Sequence, residues 1–223
     1  DVAVTNRLGS GKKGLDGSVF VFFGRDDGTF RNPDVYKLAG QPYGIAAGDF
    51  NGDHHPDLAV AEDTGGSVAI LMNNGRGKFK LTETYPTDQE ADYVAVADLD
   101  RNGTLDLVVS NGAQDIAVLL GNGDGTFGAA ALYSTSQLGE DPVAVVIADF
   151  SGNGNLDIAV VLSNGYPGLF YGGGDGTFQA AERIQGVTYP GYGLAVGDLN
   201  KNGKPDLAIA CTELGLAVLM NAE

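Results

Sequence analysis

Short apolar runs recur along this chain with a period near fifty residues, and each recurrence has the same parts. Residues 58–61, 107–110, 158–162 and 207–211 are unbroken apolar or small-residue runs without polar alternation. Strands of that kind are covered on both faces. Each follows a run rich in Ala, Gly and Val, at 43–48, 93–97, 143–148 and 192–197. Small residues suit innermost strands, where neighbouring sheets converge. A third strand follows at 67–72, 115–120, 168–171 and 215–220, and a more polar fourth, as at 80–85 and 180–184, suits an exposed edge. The chain enters mid-repeat: residues 1–4 align with 57–60, 19–23 form a third strand and 30–38 cover a fourth. The pattern therefore predicts eighteen strands, as three, then three groups of four, then three. Thirty-five glycines, eight prolines and no long 3.6-residue periodicity agree with short strands joined by tight turns.

Polar chemistry concentrates between the first and second strand of each repeat. In the stretch from Gly48 to Leu58, oxygen-bearing side chains stand at Asp49, Asn51, Asp53 and Asp57, the first, third, fifth and ninth loop positions. The spacing returns as Asp98, Asp100, Asn102 and Asp106, as Asp149, Ser151, Asn153 and Asp157, and as Asp198, Asn200, Asn202 and Asp206. Successive first Asp residues lie 49, 51 and 49 residues apart, the mark of a repeat architecture. Alternate oxygens in a tight loop suit a hard cation, and calcium takes about six to eight oxygens at about 2.3–2.6 Å. The seventh position, His55, Thr104, Asn155 or Lys204, is expected to add a backbone carbonyl. Strands flank the loops and the last ligand is a ninth-position Asp, so these are not EF-hands. Asx-turns alone would not need three carboxylates together, since each like-charge contact at ~4 Å costs about 1–4 kcal/mol. Four calcium sites are expected, tightest in loops one and two with three Asp each. His54 stands where the other loops have Gly103, Gly154 and Gly203, and would be strained at positive φ.

These loops, with the Gly-Asp-Gly-Thr-Phe turns at 123–127 and 174–178 and their variants at 27–30 and 75–79, resemble FG-GAP (VCBS-type) repeats. Such repeats build the head of integrin α subunits and occur in secreted bacterial proteins and fungal lectins. The resemblance covers residues 1–223 as one domain and implies an all-β fold, a β-propeller of four-stranded blades. About four and a half repeats are present. Family propellers commonly have seven blades, so the chain is either part of a longer propeller or five blades of which two lack a strand. Blades completed between chains would make an oligomer. The family often places ligands opposite the metal loops. That face would carry Tyr43, Tyr93 and Tyr192 before the inner strands, Tyr166 in a connection, and Lys12 and Lys13 in the long connection 6–17. Tyrosine suits stacking on sugars or peptides, and ordinary packing between blades explains Tyr43, Tyr93 and Tyr192 at least as well.

Charge narrows the partners. The formal net charge of −16 argues against nucleic acid, whose phosphates need a basic footprint. Ten of the 29 acidic residues are loop aspartates, so four calcium ions would bring −16 to about −8. No apolar run approaches a membrane span. The single cysteine, Cys211, lies in an apolar run and reads as a buried thiol. His54 and His55 lack further ligands at metal spacing and read as loop surface. No nucleophile motif or phosphate loop is present. Asp1 opens directly on a strand, so any signal peptide is expected to be already removed or not included. The expected function is a calcium-binding, non-catalytic, extracellular or cell-surface module recognising protein or carbohydrate. The alternatives are the propeller domain of a larger secreted polysaccharide-degrading enzyme, or a structural spacer.

Overall fold

The computed structural model of the chain describes residues 1–7, 17–186, 191–212 and 215–222. Among them are eighteen strands in five antiparallel sheets. The first sheet is β1 (Val2–Asn6), β2 (Ser18–Phe22) and β3 (Asp34–Lys37). The second is β4 (Pro42–Gly48), β5 (Asp57–Glu62), β6 (Ser67–Asn73) and β7 (Phe79–Pro86). The third is β8 (Ala91–Ala97), β9 (Asp106–Asn111), β10 (Asp115–Leu119) and β11 (Ala131–Ser134). The fourth is β12 (Pro142–Ala148), β13 (Asp157–Leu162), β14 (Pro167–Phe170) and β15 (Glu182–Arg183). The fifth is β16 (Gly191–Gly197), β17 (Asp206–Cys211) and β18 (Gly215–Leu219). Strands pair in chain order within every sheet. The polar outer strands differ in extent from expectation: β7 runs past the expected 80–85 at both ends, whereas β15 spans two residues of 180–184 and β3 four of 30–38. Few apolar contacts hold an edge strand, so its apolar pattern does little to fix where pairing ends.

The inner strands β4, β8, β12 and β16 stand side by side, each sheet packing on the next. That is why they carry Gly and Ala. A Cβ on Gly44 would come within 2.7 Å of the Tyr93 Cα, so the two inner strands approach too closely for a side chain there. The second strands β5, β9 and β13 are buried at all six positions, as their unbroken apolar runs demand. The core is thus a row of seams. Val19, Val21, Leu58 and Val60 fill the first, Ile70, Val94, Leu107 and Phe127 the second, and Val118, Ile158, Val160 and Phe170 the third. Val161, Ile209 and Ala217 belong to the fourth, where the free Cys211 is buried. Each fully buried Val, Leu, Ile or Phe contributes about 1.5–3 kcal/mol of apolar burial.

Antiparallel order places the first-to-second and third-to-fourth connections at one end of each sheet and the remaining ones at the other. The inner strands share one irregularity. Each has a register shift near its start that adds one residue: Asp92, Val143 and Tyr192 are the extra ones in β8, β12 and β16, and in β4 Tyr43 and Gly44 together stand against Ala61. Such bulges re-aim side chains. No helix among the described residues is long and apolar enough to cross a membrane.

Candidate metal centre

The four loops fold alike because each has left-handed residues at its fourth and sixth positions. The fourth is Gly52, Arg101, Gly152 and Lys201, at φ of 75°, 60°, 70° and 63°. The sixth is His54, Gly103, Gly154 and Gly203, at 66°, 87°, 86° and 84°. His54 therefore adopts the strained backbone expected of it. Its ring is exposed, with Nδ1 3.8 Å from Asp49 Oδ2, and the His55 ring lies against Gly75.

The two turns curl backbone N–H groups onto the side-chain oxygens. The first Asp accepts from the fifth-position N–H at 3.1 Å in every loop and from the sixth at 2.7–3.0 Å. The fifth-position oxygen of Asp53, Asn102, Asn153 or Asn202 accepts from the N–H of His55, Thr104, Asn155 or Lys204 at 2.7–2.9 Å. Asn51, Asp100 and Asn200 accept similarly, whereas the shorter Ser151 turns its hydroxyl toward Asp149 at 3.4 Å. These are Asx-turns, and they bring the oxygens of each loop to one side. Asp49 is drawn up by burial, but the N–H groups of His54, Gly52 and Asp53 outweigh this and lower its pKa.

The ninth aspartate has a second task that its place in the ligand pattern hides. Asp57, Asp106, Asp157 and Asp206 are buried, at most 1% exposed. One oxygen accepts from the loop, at the N–H of Phe50, Leu99, Ser151 or Leu199, at 2.7–3.1 Å. The other accepts from the end of the third strand, at the N–H of Asn73, Gly121, Gly172 or Asn221, at 2.7–2.9 Å. The residue ties the loop to its own sheet. Asp1 holds the same register in the first sheet and likewise accepts from Gly24 N–H at 2.7 Å. Burial pushes the Asp57 and Asp106 carboxyls above their ordinary range, with the loop's other aspartates adding to it.

Loop two is the most convergent. Among the described residues, the carboxylates of Asp98, Asp100 and Asp106 are the set of three whose ligand atoms all lie within 4.8 Å of one another. Such an all-oxygen, multiply charged set fits calcium in the donor types and charge it needs. In loop one the three aspartates do not gather in this way, although the third and fifth positions are bonded alike in both loops, Asn51 Nδ2 donating to Asp53 Oδ2 at 3.1 Å and Asn102 Nδ2 to Asp100 Oδ2 at 3.0 Å. Equal carboxylate count does not give equal convergence.

At the other end of the sheets, Tyr43, Tyr93 and Tyr192 are 44%, 40% and 66% exposed. They do not share one repeat position: the residue aligned with Tyr43 and Tyr192 in β8 is Asp92. Arg7 lies over the Tyr43 ring at 4.8 Å and pairs with Asp63. Tyr166 packs on the third seam beneath Arg183, 3.9 Å from its ring centre. Lys12 and Lys13 lie outside the described residues.

A family profile described as FG-GAP-like repeat matches residues 1–60, 49–109, 98–160 and 157–209. The chain belongs to the FG-GAP-like repeat family. The FG-GAP repeats thus cover the four Asp-rich loops, and the five sheets form a propeller-type, all-β domain. Two crystal structures of BBS1N in complex with ARL6DN, soaked with lead and with mercury, are similar at 16% and 15% identity and TM-scores of 0.57 and 0.53. They match 94% and 88% of this chain and 61% and 56% of theirs. The Tc holotoxin pore of Photorhabdus luminescens is similar over 93% of this chain and 10% of its own, at 20% identity and a TM-score of 0.53. This chain therefore spans under two thirds of those chains, and the likeness is one of fold. No curated protein matches it significantly.

Proposed function

We propose that this FG-GAP domain is a calcium-stabilised recognition module, without catalytic activity of its own, that engages a protein partner outside the cell. The observation that carries the metal reading is the meeting of Asp98, Asp100 and Asp106 within 4.8 Å, in a loop form that the chain repeats four times. Asp49, Asn51, Asp53 and Asp57, with their counterparts in the other loops, would hold the ions, and the seventh-position carbonyls would complete each set. Calcium supplies there the positive charge that lets close carboxylates coexist. Extracellular modules bind calcium at about 10⁻⁴–10⁻³ M, which suits millimolar calcium outside the cell. A protein partner is supported by the similar BBS1N domain, which is in complex with ARL6DN. The exposed Tyr43, Tyr93 and Tyr192 would suit a carbohydrate as well, and a glycan array separates the two.

The experiment is a melting scan in EDTA, in millimolar calcium and in millimolar magnesium. At ten times the dissociation constant each site adds about 1.4 kcal/mol, so four sites together add several kcal/mol and raise the midpoint by roughly 10–20 °C. A midpoint that calcium leaves unchanged refutes the metal reading.

A further inference from the structure

Loop two reaches across to loop three through one side chain. Arg101 holds the fourth position of loop two, with its backbone at φ 60°, and its guanidinium donates to the carbonyl of Gly154, the sixth position of loop three. A Cβ on Gly154 would meet the same guanidinium at 3.3 Å. The amide on the other side of that peptide group, Asn155 N–H, donates to Asn153 Oδ1 at 2.7 Å. A full positive charge thus rests on a loop that has only two carboxylates of its own, Asp149 and Asp157. Loops one and three carry Gly52 and Gly152 at the fourth position and send no side chain from there.

Resting on the calcium reading above, we propose that Arg101 is a built-in counter-cation for loop three, lowering its calcium affinity and coupling it to loop two. Two effects oppose each other. The hydrogen bond orients the Gly154–Asn155 peptide, which favours a preformed loop. The charge repels a divalent ion well inside one Debye length, which disfavours filling it. The carbonyl is exposed enough to exchange its donor for water at little net cost, whereas nothing replaces the charge, so repulsion prevails. Arg101 also stands between Asp100 and Asn102, whose oxygens would hold the ion of loop two. An ion there fixes the Arg101 backbone and keeps the guanidinium on loop three. The sites then fill in order, loop two before loop three, and the coupling is reciprocal.

Calcium titration calorimetry of the whole chain tests this, comparing wild type, Arg101→Gln and Arg101→Lys, each with and without Asp149→Asn, which silences loop three. Arg101→Gln keeps a donor and removes the charge; one site should tighten roughly 3- to 10-fold. Arg101→Lys keeps the charge and should stay near wild type, which also guards against a folding artefact. The gain should shrink at high salt and vanish in the Asp149→Asn background. Titrations of Arg101→Gln that superimpose on wild type, show a looser site, or keep the gain without Asp149 overturn the proposal while leaving calcium binding intact. A wild-type protein that takes up no calcium overturns the metal reading and this coupling together.

Discussion

Asp92 offers a quantitative test of the end of the sheets away from the metal loops. It is the extra residue of the bulge in β8, half-buried where the inner strands meet. Burial pushes its carboxyl up to about 6 from 3.8, Asp63, Glu90 and Asp141 push the same way, and Arg7 opposes. The folded protein therefore holds this proton more tightly than the unfolded chain. The stabilisation is complete below pH 3.8 and is lost as pH rises through about 6. A shift of about two units corresponds to ~3 kcal/mol at most, and the carboxyl's remaining contact with water reduces this to ~1–2 kcal/mol. Asp92→Asn imitates the protonated form. It should stabilise the fold by ~1–2 kcal/mol at pH 7.5, roughly 2–8 °C in melting temperature for a chain of this size, and leave it unchanged at pH 4. Paired thermal melts of wild type and variant across pH 4–8, in one calcium concentration, isolate the residue because every other titration is shared. A gap that does not change with pH, or a variant less stable at pH 7.5, refutes the reasoning.

Other outcomes follow from named contacts. Phe50 is 3% exposed and meets Phe127 edge-on at 5.4 Å, so Phe50→Ala should cost ~3–5 kcal/mol in a denaturant titration. It should also loosen loop one more than its distant neighbours. Because loop two gathers its carboxylates, Asp98→Ala should lose more calcium affinity by calorimetry than Asp149→Ala, and the reverse order would discard charge and convergence as the guide. Truncating the exposed Tyr43 or Tyr93 to Ala should leave the melting temperature within a few degrees while weakening partner binding. Tyr166→Ala should cost stability, because that ring packs on the third seam beneath Arg183.

Much of this fold is legible in the sequence because burial on both faces leaves an unambiguous mark. The runs at 58–61, 107–110 and 158–162 read as covered strands, and β5, β9 and β13 are buried throughout. The form of the Asp-rich loops is legible for a similar reason, since alternate oxygens and left-handed turns are set by local composition. What escapes the sequence is set by register and rotamer. The bulges that present Tyr43, Asp92 and Tyr192 depend on how two backbones slip past each other, and Ala, Val and Gly carry no sign of it. Loops one and two have equal charge, yet only in loop two do the three carboxylates turn toward one point. The extent of the outer strands is less legible, β7 reaching past 80–85 while β15 and β3 fall short of 180–184 and 30–38, because a polar edge is held by hydrogen bonds that few side chains advertise. The ninth aspartate shows its ligand pattern in the sequence but not its bond to the end of the third strand, which only the folded sheet brings within reach.

Because the core is a row of seams with no common centre, each sheet feels chiefly the sheet on either side of it. Stability then behaves as a chain of nearest-neighbour couplings, in which a defect is confined to one link and order spreads from link to link. Such an array can gain or lose a whole repeat by duplication or deletion without redesigning the links that remain. Evolution can therefore alter its length far more easily than its cross-section.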